Sequence, residues 1–136
     1  MGKVFTRYLL TCDEVVEHKN GNLDFINVFE SKILSDFPTK LNFVLMLAVE
    51  YNLKYKENRE LKIDIILPDK TIKGNSLIII LNEDDNTDDE NELFVAINQI
   101  NIPNFPIDEE GQYTFVASYN EKVIGRHSVL FNREGE

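Results

Sequence analysis

A chain of 136 residues, 43% hydrophobic and 28% charged, is one domain (1–136) with enough bulk to bury a core, and neither disordered nor membrane-spanning by composition. One cysteine, two histidines and no tryptophan allow no internal disulfide and fall short of a structural zinc site, so no cofactor is expected. The 14 lysines and arginines against 24 acids give a net charge of −10, which repels nucleic acid and anionic headgroups; neither nucleic acid nor membrane is an expected partner.

Strand-forming runs follow one another along the chain, each rich in β-branched or aromatic residues and bounded by turn residues. The first spans residues 4–12. Arg7 interrupts it before it reaches the length of a secretory apolar core, and the lone Cys12 suits a reducing compartment, so a cytoplasmic location is expected. His18-Lys19-Asn20-Gly21-Asn22 then supplies the positive φ angles of a tight hairpin. Residues 24–33 read as the second strand, and 29–39 leaves room for a helical turn that Pro38 ends. Strands at 42–51 and 61–67 follow, the latter closed by the turn Leu67-Pro68-Asp69-Lys70. Further runs at 76–81, 92–100, 112–119 and 122–131 complete the set, with Pro103 and Pro106 keeping the connection before Gly111 extended. About eight short strands without an intervening helix predict an all-β fold, an antiparallel β-sandwich or barrel.

Alternation assigns the core. Leu61, Ile63, Ile65 and Leu67 share one face while Lys62 and Asp64 share the other. Two runs do not alternate: 43–49 and 77–81 are apolar on both faces, so the second faces need a cover. Val44, Met46, Ile78 and Ile80 are the residues concerned. Either a second copy covers them, making a two-fold homodimer, or residues 29–39 or 101–110 fold over them.

The order of motifs carries a likeness. Tyr8-Leu9-Leu10-Thr11-Cys12-Asp13 precedes Gly21-Asn22-Leu23-Asp24-Phe25-Ile26-Asn27-Val28-Phe29, then Phe37-Pro38 and Phe43-Val44-Leu45. Gly111-Gln112-Tyr113-Thr114-Phe115 and a final hairpin close the chain. In this order the sequence resembles a family of small bacterial and phage-associated β-sandwich proteins with no assigned function. The resemblance implies an immunoglobulin-like general layout and supplies no catalytic residue. Residues 83–92 depart from it.

That segment holds seven of the 24 acids and no base; without it the chain has 14 bases against 17 acids, a net −3. It reads as a solvated, mobile loop that aids solubility. Asp84, Asp85, Asp88 and Asp89 are the candidate calcium ligands, since hard cations take many oxygens. An EF-hand counted from Asp84 fails, with Asp89 where glycine is needed and Val95 where glutamate is needed. Cysteine catalysis would need Cys12 beside His18 or His127, and parity places Cys12 in an apolar interior. Paired carboxylates of a glycosidase type are not distinguished from acids on polar strand faces. Tyr51, Tyr55 and the intervening Lys54 offer an aromatic-basic patch at a strand end, against which the preferred reading is a solvated hairpin tip at 52–60 with snorkelling lysine stems. The expected function is therefore a non-enzymatic binding or scaffold module with a protein partner or a second copy of itself. The alternatives are a calcium-dependent, C2-like membrane-binding module and then a small hydrolase.

Overall fold

The alternating runs become ten strands and no helix among residues 3–135, which the computed structural model describes. They are β1 (Lys3–Cys12), β2 (Glu14–Glu17), β3 (Leu23–Ile26), β4 (Ser31–Leu34), β5 (Thr39–Asn52), β6 (Glu60–Ile66), β7 (Leu77–Ile80), β8 (Phe94–Ile107), β9 (Gly111–Tyr119) and β10 (Lys122–Arg133). One sheet runs β1-β5-β8, a second runs β4-β10-β9-β6-β7, and β2 with β3 forms a separate hairpin. Every pairing is antiparallel except β4 with β10. No helix among the described residues is long and apolar enough to cross a membrane.

Ten strands replace the expected eight for local reasons. The run 24–33 does not stay whole: Asn27 takes a φ of 53°, and the chain turns there between β3 and β4. The helical turn expected within 29–39 is absent; Ser31–Leu34 instead adds a parallel strand beside Leu130–Arg133. The run 92–100 continues through Pro103 and Pro106 to Ile107. An edge strand tolerates proline, and β8 is an edge of its sheet. Gly111 opens β9 at a φ of 135°, where an added Cβ would lie 2.8 Å from Pro68.

The two large sheets share one core. Phe43, Leu45, Leu47, Val49 and Tyr51 of β5 cluster with Leu61 and Ile63 of β6, Tyr113, Phe115 and Ala117 of β9, and Val129 and Phe131 of β10. Phe105 is central to the aromatic part, with ring centres 5.4 Å from Phe43, 6.0 Å from Tyr113 and 6.2 Å from Phe115. The opposite face of β5 has its own cover. Cys12, Val44 and Met46 pack with Tyr8, Leu10, Val15, Leu23 and Phe25, so the β2–β3 hairpin closes that face.

This corrects the expected interface. Val44 is 7% exposed and Met46 is fully buried within the chain, whereas Ile78 and Ile80 on β7 are 52% and 57% exposed. The four residues belong to different sheets and make no common patch. Neither 29–39 nor 101–110 supplies the cover. The hairpin does it because its register, Val15 opposite Phe25 and Glu17 opposite Leu23, puts Val15, Leu23 and Phe25 on one face.

One buried polar group ties β1 to β10. The Thr11 hydroxyl donates to the Phe29 carbonyl at 2.7 Å, so its oxygen accepts from Nε2–H of His127 at 2.9 Å. Burial holds the His127 pKa below its ordinary 6.5, against a smaller opposing pull from Glu30. A histidine kept neutral by folding contributes stability above the unfolded pKa and loses it as pH falls below about 6.5. Urea midpoints are expected to fall between pH 7.5 and pH 5, and His127→Gln is expected to flatten that fall. An unchanged slope in the variant would assign the pH dependence to other groups.

Candidate functional site

Strand β6 presents Glu60, Lys62 and Asp64 outward, opposite its buried Leu61 and Ile63. Register places Ile80 beside Glu60 and Ile78 beside Lys62 on one flank. On the other flank stand Ser118 beside Lys62 and Val116 beside Asp64. This outer face of the five-stranded sheet lines a concavity of about 790 Å³, rimmed by Asn58, Asn120 and Glu121. Within it Asp64 accepts the Ser76 hydroxyl and lies 4.0 Å from the Lys62 ammonium.

Strand β7 is the free edge of this surface. The Leu81 N–H donates to the Arg59 carbonyl at 2.9 Å, which fixes the alternation of the antiparallel ladder. Leu77, Ile79 and Leu81 therefore direct their backbone groups to β6, and Ile78 and Ile80 direct theirs outward. The side chains of Ile78 and Ile80 stand exposed on the concave face, and their N–H and C=O groups face the open edge. Apolar side chains and unpaired strand backbone thus coincide.

Next to Ile80, a hollow of about 380 Å³ is lined by Tyr55, Lys56, Glu57, Arg59, Glu60 and Glu83. Arg59 is nearly buried in the wall of this hollow. It is 8% exposed and donates to the carbonyls of Asn82 at 3.1 Å, Asp85 at 2.9 Å and Lys54 at 3.4 Å. Tyr55 is 74% exposed, and the Lys56 ammonium lies 5.7 Å from its ring centre. The expectation of a wholly solvated tip at 52–60 is thereby corrected, because Asn52, Leu53 and Arg59 are buried.

The acidic segment is also fastened, contrary to the expected mobile loop. Besides Arg59, the Asn52 amide donates to the carbonyls of Asp89 at 2.8 Å and Glu92 at 2.6 Å. The Thr87 N–H reaches the Leu53 carbonyl at 2.9 Å, and the Tyr51 hydroxyl donates to the Asp85 carboxylate at 2.6 Å. Burial, then that carboxylate, pushes the Tyr51 hydroxyl pKa well above its ordinary value. Asp84, Asp85, Asp88 and Asp89 do not converge: among the described residues no three metal-ligating side chains come together. Nor, among the described residues, does any of the seven acids form an ion pair.

The cysteine and histidines stay apart in role. Thr11 bonds His127, while Cys12, the next residue on β1, points to the opposite face of the strand under the hairpin. Burial and then Asp13 raise the Cys12 thiol pKa, which suppresses the thiolate. His18 lies on the hairpin, where its Nε2 is 2.7 Å from Asp24.

What sequence reasoning missed is the hollow and its acids. Glu57 and Glu60 read as solvated charges among bases, and nothing in their spacing tells that the chain returns Glu83 to them. The one legible signal was the second apolar set, Ile78 and Ile80. A model of a family of unknown function, DUF6941, matches residues 7–131. No curated protein and no solved structure matches the chain.

Proposed function

Since the chain belongs to the DUF6941 family of unknown function, we propose that it is a non-enzymatic protein-binding module that docks its partner on the outer face of the five-stranded sheet. The two large sheets act as the layers of a β-sandwich of immunoglobulin-like general layout, a reading supported by their shared core. The likeness to bacterial and phage-associated proteins and the single buried thiol favour a bacterial cytoplasm as its setting.

One observation carries the reading. Ile78 and Ile80 are more than half exposed on a strand edge whose neighbouring face is concave. Exposed aliphatics beside unpaired strand backbone are a liability that a solitary protein blunts with charge, proline or a cover. Here they are left open, as a docking surface requires.

The test is a photo-crosslinking side chain placed at position 78 in the native cell, with the same group at position 33 as control. Ile33 is 72% exposed on β4, at the other end of the sheet. The expected outcome is a discrete protein adduct from position 78 and none of that mass from position 33. Equal patterns from both positions, or no adduct, would count against the reading.

A further inference from the structure

We propose that the partner of this surface is an extended, lysine- and arginine-rich segment that adds a strand to the free edge of β7 and places one cationic side chain in the hollow beside Ile80. The inference rests on the binding-module reading and goes on to name the chemistry of the partner.

Three observations converge. The outward N–H and C=O groups of Ile78 and Ile80 supply a strand-pairing edge, and main-chain bonding of that kind gives affinity without demanding a sequence. Specificity then comes from pockets for alternate side chains. The hollow offers the carboxylates of Glu57, Glu60 and Glu83 and the face of Tyr55, which outnumber the two cations of its lining, Lys56 and Arg59, and the Arg59 N–H donors are taken by backbone carbonyls. A long cationic side chain suits that lining, because its methylenes lie along Ile80 while its head meets carboxylate and ring.

The third observation is long-range. The seven acids of 83–92 begin three residues beyond the edge strand, are fastened in place, and among the described residues are neutralised by no ion pair. A fixed field of one sign steers a partner of the other sign and repels its like. The same field argues against a second copy, which would bring another net −10 to the edge.

The experiment is fluorescence anisotropy with a labelled ten-residue probe alternating arginine and valine, against a counterpart with glutamate for arginine. The full chain is expected to bind the basic probe at least ~10-fold more tightly, with the preference shrinking as salt shortens the screening length. Ile80→Pro removes an outward N–H without touching a β6 bond, and is expected to weaken binding about 10-fold. Glu60→Lys/Glu83→Lys, two exposed changes, is expected to do the same and does not depend on tolerance of proline. Lys56→Ala removes the cation nearest Tyr55 and is expected to tighten binding a few-fold, about 2–5 times.

Equal affinity for the two probes, or wild-type affinity in the charge-reversed variant, overturns the inference. So does light scattering that finds a dimer broken by Ile80→Lys, which would seat a second copy on the edge. A discrete adduct from position 78 without preference for the basic probe ends the cationic assignment and leaves the binding-module reading standing. Absence of both ends that reading as well.

Discussion

Replacing Phe105 by alanine is expected to cost about 3–5 kcal/mol of folding stability, the range for truncating a large aromatic in a packed core. Phe105 is 3% exposed, and its ring meets Phe43, Tyr113 and Phe115, so it connects the edge strand β8 and the central strand β5 of the three-stranded sheet to β9 of the other sheet. Removing it leaves a void between two sheets that cannot both move inward, because each is fixed by its own ladder. Phe5→Ala is the contrast. Phe5 is 52% exposed, and its truncation is expected to cost under about 1 kcal/mol. Urea denaturation of the two variants measures the difference. Equal costs would mean that the core does not close around Phe105.

Arg59→Ala is expected to be the next most damaging change, at about 2–3 kcal/mol, the scale of losing hydrogen bonds to a charged donor. Three carbonyls, those of Asn82, Asp85 and Lys54, lose their donor together. Desolvation of the buried guanidinium opposes them in the native protein, which keeps the net figure below the sum of three bonds. Arg59→Lys is not expected to rescue, since one ammonium cannot reproduce the planar fork that reaches carbonyls on two sides. The readout that separates loop anchoring from general destabilisation is amide exchange. Thr87, held to the Leu53 carbonyl, should exchange much faster in Arg59→Ala, while core amides of β9 follow only the global loss. Unchanged exchange at Thr87 would show that Asn52 and Tyr51 suffice to hold the segment.

Sequence patterning located most strands because period-two alternation and turn residues act locally. The double-sided apolar run at 43–49 correctly demanded a cover, but its source was illegible. The hairpin that supplies it spends only Val15, Leu23 and Phe25 on the contact and shows Glu14, Glu17, His18 and Lys19 to solvent, so it reads as a turn region. The parallel pairing of β4 with β10 joins segments nearly a hundred residues apart and leaves no local mark. Arg59 shows the same limit at the candidate site. Among Lys54, Lys56 and Lys62 it looks like one more surface base, and only the return of the acidic segment buries it. Ile78 and Ile80 were legible as misplaced apolar residues; that they stay open while Val44 and Met46 are covered depends on which sheet each strand joins.

The most direct measurement is amide hydrogen exchange, residue by residue, of the protein alone and with the basic alternating probe. The Ile78 and Ile80 amides face the open edge and should be labile alone, then slow on addition of the probe. Leu77 and Ile79, already directed to β6, should change little. The exposed pair Val95 and Ile97 on β8, at 46% and 52%, marks the competing edge. Protection that appears at Val95 and Ile97, or nowhere, while Ile78 and Ile80 stay labile would contradict docking at β7.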